Sequence, residues 1–248
     1  DGASGSENRY VIDGVDTTII EHRGAMSYLT NAGMAAREAR RFNPDLIHVH
    51  YAGGFSLWGL RAALKPMVVS VWGTDVTELP QNPAYRWLIK RILKRATAVT
   101  ATSSVLKDTA LRLQPAIGGK VSVIPFGVPI PADPPAQPKA PPISMFYLKM
   151  HEPRYGPDIL LKAMAQVKER FSDIQLNMVG EGSLTPTLRQ MITDLNLSDN
   201  VHLLGWINNT GIYRFISKHH FMVMPSLSEA FGVAVLECGA CRRPSIAT

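Results

Sequence analysis

The chain has 248 residues, a net charge of +6, and 46% apolar against 19% charged residues, a globular composition with room for two domains, each with its own core. The positive charge is too diffuse for nucleic acid, because no basic run is interleaved with aromatics and no reader motif is present; it suits small anions, acidic glycans or an anionic membrane surface. Two cysteines cannot build a disulfide framework and fit a reducing compartment, and no apolar run approaches the roughly 18 to 20 residues of a membrane span.

In chain order, little is apolar from Asp1 to Gly14, and Thr17 to Ile20 reads as a short strand. Ala25 to Phe42 is a predicted helix whose last turn is basic (Arg37, Arg40, Arg41), which suits its negative end, and Asn43-Pro44 stops it. Leu46 to His50 reads as a strand, Leu57 to Leu64 as a helix, and Pro66 to Trp72 as a strand buried on both faces, closed by a Gly73-Thr74-Asp75 turn. Tyr85 to Arg95 keeps helical spacing, Thr97 to Ala101 is a strand, Ser103 or Ser104 caps the next helix, and Val121 to Ile124 is a strand ending at Pro125. Strand and helix alternate, so a parallel sheet wrapped by helices is expected.

Val128 to Pro142 breaks the pattern with seven prolines in fifteen residues, a semi-rigid linker. The expected domains are therefore 1–128 and 143–248, joined by 129–142. Beyond it come strand Met145–Lys149, helix Pro157–Arg170, strand Ile174–Val179, helix Pro186–Leu195, strand Val201–Leu204, helix Gly211–Ser217, strand Phe221–Met224, a further helix, and strand Ser245–Ala247. The architecture is Rossmann-like, and ligands of such sheets sit at the carboxyl ends of the strands. The chain starts at Asp1 and stops at Thr248 directly after a predicted strand, so both ends are expected to be cut from a longer reading frame, and no signal-peptide pattern is read in these residues.

The stretch from Met224 to Ala240 carries the most chemistry. Pro225 ends a strand, Ser226 and Ser228 offer N-caps, and a helix-forming run carries Glu229 at its mouth and Glu237 eight residues on. At about 1.5 Å per residue the carboxylates would lie roughly 12 Å apart along a helix, the reach of a diphosphate with a sugar at each end. The amides of Phe231 to Val233 would be helix-start donors for an anion between them.

Pro225-Ser226-Leu227-Ser228-Glu229-Ala230-Phe231-Gly232 with Glu237 resembles the E-x7-E region of family 4 retaining glycosyltransferases. Further segments resemble that family in its expected order: Pro44 to His50, Val71 to Asp75 (H-G-T-D), Val123 to Val128 (I-P-x-G-V), Val179 to Gly182 (V-G-x-G) and Leu204 to Trp206. The resemblance implies an α/β protein of the GT-B fold, two Rossmann-like domains with a cleft between them. It implies a hexosyltransferase-type enzyme of polysaccharide or glycolipid synthesis, moving a sugar from a nucleotide-sugar donor, a UDP-sugar in first place, to a glycan or lipid-linked acceptor, with retention and without metal. The nucleotide sugar is a co-substrate and no cofactor is expected. A cytoplasmic protein is implied, with the inner membrane face as a second location. The alternative is a non-catalytic fragment that binds the donor.

By position, Glu229 would be the catalytic carboxylate, binding donor-sugar hydroxyls; Ala230, Phe231, Gly232 and Val233 would line sugar and diphosphate, and Glu237 would take the ribose. Gly180 and Gly182 are further donor-side residues. Lys149 and Arg154 are the candidate diphosphate cations, but the common G-R-x(4)-K-G pattern is altered: Tyr155 sits where its Lys is usual, and which cation touches which phosphate is open. Trp72 replaces a common His and reads equally as a core residue or a sugar platform. His50 and Asp75 join it as sugar- or acceptor-side candidates, Asp75 with turn capping as its alternative. His48 and His50 share a strand face without a third metal ligand, and Cys238-Gly239-Ala240-Cys241 reads as buried packing. Arg242 stands where the family has Gly, which leaves the helix ending open. The basic helix residues Arg86, Lys90, Arg91, Lys94 and Arg95 form a solvated face or a membrane contact.

Overall fold

The computed structural model describes residues 8–12, 14–20, 24, 26–132, 136 and 138–248. Two compact units divide the chain, the first ending at Pro125 and the second starting at Phe126. The proline-rich segment therefore goes with the second unit. Within that unit the Arg243 side chain, 3% exposed, donates to the carbonyls of Ala136, Ser217 and Cys241 and so fixes the segment to the helix layer.

The first unit opens with β1 (Asn8–Ile12) and β2 (Val15–Ile19), paired antiparallel as their own hairpin. Only the second of these strands was expected. The predicted helix from Ala25 divides into α1 (Met26–Thr30) and α2 (Ala32–Phe42) at Asn31, where Thr30, Asn31 and Gly33 are weak helix formers; Ala25 itself lies outside the described residues. Asn43 ends α2 in a left-handed conformation (φ 48°), a geometry asparagine tolerates, and Pro44 prevents continuation. Then follow β3 (Ile47–His50), α3 (Ser56–Ala62), β4 (Met67–Val71), α4 (Thr74–Thr77), α5 (Pro83–Arg95), β5 (Ala98–Ala101), α6 (Ser104–Leu113) and β6 (Val121–Val123). The four strands β3-β4-β5-β6 are all parallel. Val69, Val71 and Val99 of the sheet and Ile89, Ile92 and Leu93 of α5 are fully buried, the near-continuous apolar strand pattern of a doubly covered sheet. Ser103 is the cap of α6, its hydroxyl accepting from the Leu106 amide.

The second unit contains β7 (Ile143–Leu148), α7 (Pro157–Lys168), β8 (Ile174–Val179), α8 (Thr185–Asp194), β9 (Val201–Gly205), α9 (Ile212–Ser217), β10 (Phe221–Met224), α10 (Val233–Ala240) and β11 (Ser245–Ala247). Its sheet runs β11-β10-β7-β8-β9, all parallel. Alternation along β7 feeds two cores. Met145 and Tyr147 join α7 and α8 on one face, while Phe146 joins α9, α10, Cys238 and Cys241 on the other. Both cysteines are free and fully buried, and burial pushes their thiols up, so they pack rather than react.

Helix α10 ends in a tight reverse turn: the Arg243 amide donates back to Cys238 and the Arg242 amide to Gly239. Arg242 takes φ 56° there, with its side chain exposed, which accounts for the family's preference for Gly at this position. A left-handed non-glycine residue costs about 1–2 kcal/mol, whereas glycine's extra unfolded-state freedom costs roughly 0.5–1 kcal/mol. Arg242→Gly is therefore expected to stabilise the protein by about 0.5–1 kcal/mol. A denaturation midpoint that falls in the variant would contradict this account.

Candidate functional site

In the second sheet the chain order reverses between β7 and β10: β8 and β9 add on one side of β7, β10 and β11 on the other. Open parallel sheets bind ligands outside the carboxyl ends of the strands at such a reversal. Lys149 directly follows β7, and the loop holding Glu229 follows β10. The two meet there. Lys149 Nζ lies 2.6 Å from Glu229 Oε2, with the side chains only 18% and 20% exposed. Glu237, on α10, is half-buried; burial pushes its carboxyl up and the nearby Lys149 charge pulls it back. Lys149 is therefore paired with Glu229 and exerts a lesser pull on Glu237.

Tyr155 explains the altered cation pattern. Its ring centroid lies 4.9 Å from Lys149 Nζ and 5.7 Å from the Arg154 guanidinium carbon, so one π-system positions both cations. The Arg154 carbonyl accepts from the Leu227 and Ser228 amides at 2.8 and 3.4 Å, tying the loop after β7 to the loop after β10. Gly156 (φ 60°) lies under the same junction, where a Cβ would come within 2.2 Å of the Pro225 carbonyl oxygen.

The helix-start reading needs correction. Glu229 stands in the loop, four residues before α10 begins at Val233, so a helical rise does not measure its separation from Glu237. Neither Ser226 nor Ser228 is the cap; Gly232 is, without a side-chain hydrogen bond. The run Glu229-Ala230-Phe231-Gly232 stays irregular because glycine destabilises the helical turn it would have to complete. The Val233 amide donates to the Phe231 carbonyl at 2.9 Å and is spent. The amides of Phe231 and Gly232 find no acceptor among the described residues. Ala230 lies half-buried beside them, and the Phe231 ring packs edge-on to Phe126 at 5.6 Å.

Gly180 and Gly182, expected on the donor side, have their amides committed inside the protein, to the Gly205 carbonyl at 2.8 Å and the Thr185 hydroxyl at 2.9 Å. They are glycine because the chains come too close for a side chain. A Cβ on Gly180 would sit 2.1 Å from the Lys149 carbonyl oxygen, and one on Gly182 2.6 Å from that of His151. Missed in the sequence was the neighbouring brace. Glu152 accepts from the Ser183 amide at 2.8 Å and the Ser183 hydroxyl at 2.6 Å, which holds its carboxyl below the usual range. Buried His151 pairs through Nδ1 with Thr185 at 3.0 Å. The Thr185 hydroxyl thus ties the Gly182 amide to the His151 ring.

In the first unit, His48 and His50 stack at 3.9 Å between ring centroids, and Trp72 meets His50 edge-on at 5.4 Å. Trp72 is 40% exposed, so it is no core residue. His48 Nε2 lies 2.7 Å from the Ser70 hydroxyl, itself 2.6 Å from that of Thr100. Burial first, and the His50 charge second, hold the His48 pKa down. Asp75 is wholly buried: its carboxylate accepts from the amides of Gly73 (2.8 Å), Ala52 (2.9 Å) and Trp72 (3.1 Å). Burial pushes its pKa up and those hydrogen bonds oppose the shift. The expected turn is thus the start of α4, and Asp75 holds the ends of β3 and β4 together instead of offering oxygens to a ligand. Among the described residues no group of three or more His, Cys, Asp or Glu side chains could hold a metal ion.

Residues 1–131 match the family described as Glycosyltransferase Family 4, and 132–248 match that described as Glycosyl transferases group 1. The chain belongs to glycosyltransferase family 4. Among its curated relatives are the N-acetyl-alpha-D-glucosaminyl L-malate synthase of Bacillus anthracis (27% identical, covering 89% of this chain and 60% of the relative) and the phosphatidyl-myo-inositol mannosyltransferase of Mycobacterium leprae (26%, 96% and 65%). The chain thus spans less than two thirds of the length of these relatives. Similar solved structures include a sucrose-phosphate synthase from Thermosynechococcus elongatus (TM-score 0.73, 22% identical, covering 96% of this chain and 64% of that one). Another is Anabaena HepE in complex with UDP and glucose (TM-score 0.73, 18%, 92% and 65%). At these identities the likeness speaks for the fold, which is GT-B.

Proposed function

We propose that this family 4 chain is the donor-binding part of a retaining, metal-independent transferase that moves a hexose from a nucleotide sugar, in first place a UDP-sugar, to a glycan or lipid-linked acceptor. The observation that carries the reading is the convergence of Lys149, Glu229 and Glu237 at the strand-order reversal of the second unit. Lys149, with Arg154 beside the same tyrosine ring, supplies the positive charge that a departing diphosphate needs and that a divalent cation supplies elsewhere. Glu229 accepts hydroxyl hydrogens of the donor sugar and Glu237 those of the ribose; the amides of Phe231 and Gly232 face the anion. The bond from the anomeric carbon to the β-phosphate oxygen breaks as the acceptor oxygen bonds on the same face. The acceptor proton goes to the departing phosphate, so no protein base is required. His50 and Trp72 are proposed for the sugar or acceptor side. The relative from Mycobacterium leprae named for phosphatidyl-myo-inositol and the HepE complex with UDP support this substrate class.

The test is turnover of UDP-, GDP- and ADP-sugars by the full-length protein, wild type against Lys149→Met, with and without chelator, reading anomeric configuration by NMR. An inverted product, or activity abolished by chelator and restored by a divalent ion, would contradict the mechanism.

Peripheral contact with an anionic membrane is proposed through α5, at the cytoplasmic face. Trp87 is 61% exposed with the Arg91 guanidinium 5.4 Å from its ring, and Arg86, Lys90, Lys94 and Arg95 are exposed around it. No helix among the described residues is long and apolar enough to cross a membrane. Sedimentation with phosphatidylglycerol vesicles should exceed that with phosphatidylcholine, and Trp87→Ala/Arg91→Ala should remove the difference. Equal sedimentation with both lipids would sink the idea.

A further inference from the structure

The Lys149–Glu229 pair has a consequence beyond placing a cation near a carboxylate. Exposed ion pairs are weak because water screens them. Here both side chains are about four-fifths covered and the separation is 2.6 Å, with Tyr155 against the ammonium. The charge that would receive a diphosphate is therefore already occupied by the carboxylate that would receive the sugar. We propose that Glu229 competes with the donor's diphosphate for Lys149, and that this competition makes the site select a sugar-bearing nucleotide over the bare nucleoside diphosphate. The inference rests on the donor reading above and deepens it.

When a diphosphate takes Lys149, Glu229 loses its partner and needs new hydrogen-bond donors, because a partly buried carboxylate left unsatisfied is costly. A nucleotide sugar brings those donors as hydroxyls at the far end of the same molecule. A bare nucleoside diphosphate brings none, and its binding bears the full cost of breaking the pair. Selectivity thus comes from a penalty on the wrong ligand as much as from contacts to the right one. Once transfer has removed the sugar, the same penalty falls on the product, and Glu229 reclaims Lys149 as the nucleoside diphosphate leaves.

The experiment is calorimetric titration of the full-length protein with UDP, GDP, UDP-glucose and GDP-mannose, comparing wild type, Glu229→Gln, Lys149→Met and the double variant. Glutamine keeps the shape and an acceptor oxygen but has no charge to hold Lys149. In Glu229→Gln the nucleoside diphosphate should bind about tenfold tighter than in wild type, roughly 1.4 kcal/mol, and the advantage of the nucleotide sugar should shrink or vanish. In the Lys149→Met background the Glu229→Gln change should give no gain. An unchanged or weakened nucleoside diphosphate affinity in Glu229→Gln, with its melting curve intact, overturns the proposal while leaving the donor site standing. So does a tenfold gain that persists without Lys149, since Glu229 would then repel the anion directly. If wild type binds none of the four ligands, the donor reading itself fails and takes this inference with it.

Discussion

Lys149→Met is expected to lower kcat/KM for the donor by about 10²–10³-fold, the effect of removing one preorganised group that stabilises developing negative charge. Three features of the site set that size. The ammonium lies at the carboxyl end of β7, at the strand-order reversal, where an open sheet presents its ligand site. It is mostly covered, so its field is less screened than that of a surface lysine. Its loss also leaves Glu229 without the ion-pair partner that holds it in place. Methionine fills the space of the lysine stem and keeps contact with Tyr155, so the fold should melt within a few degrees of wild type. Charge that matters in the transition state lowers kcat, whereas charge that only holds the donor raises KM; the expected fall is mainly in kcat. Lys149→Arg should recover part of the activity, because the charge returns in a planar, wider group. A Lys149→Met enzyme within threefold of wild type would remove Lys149 from the mechanism and leave the role to Arg154.

How far the sequence predicts this site varies by residue, for physical reasons. Strands β8 and β10 were readable to the residue because β8 alternates apolar with polar residues and β10 is an apolar run, ended by Gly180 and Pro225 respectively. The hairpin β1–β2 was passed over although Asp13-Gly14 is a strong turn pair and the flanks are rich in β-formers. The Lys149–Glu229 pair spans eighty positions, so no local pattern reveals it. Only the strand order, which places β10 beside β7, does. Position Tyr155 looked like a defect in the cation pattern because a motif records residue types, while the ring's function depends on Lys149 and Arg154 lying against it. Asp75 left two readings open, since a turn residue and a ligand carboxylate look alike until their hydrogen-bond partners are known. The glycines Gly180 and Gly182 were read as donor-side residues, and the close approach of backbone explains why both are glycine.

That cause makes Gly180→Ala the second large effect. The new Cβ would lie 2.1 Å from the Lys149 carbonyl oxygen and 2.9 Å from its carbon, both backbone atoms that cannot rotate away. The residue also holds φ 122°, which L-residues rarely adopt, and its amide is pinned to the Gly205 carbonyl at 2.8 Å. Overpacking costs about 1–3 kcal/mol and a strained φ a further 1–3, so a loss on the order of 3–4 kcal/mol is expected, read as a lower denaturation midpoint. Because the clashing atom belongs to Lys149 itself, relief of the clash must shift the cation, and nucleoside diphosphate affinity should fall together with stability. Gly239→Ala supplies the contrast. It lies within α10 with nothing within 4 Å of its added Cβ, so the ordinary helix preference for alanine should raise stability by about 0.8–1 kcal/mol. Opposite signs at the two glycines would show that backbone proximity, rather than glycine's flexibility, holds the loop after β8 against Lys149. A Gly180→Ala protein as stable as wild type would mean that this junction yields at little cost, and the placement of Lys149 would then need another support.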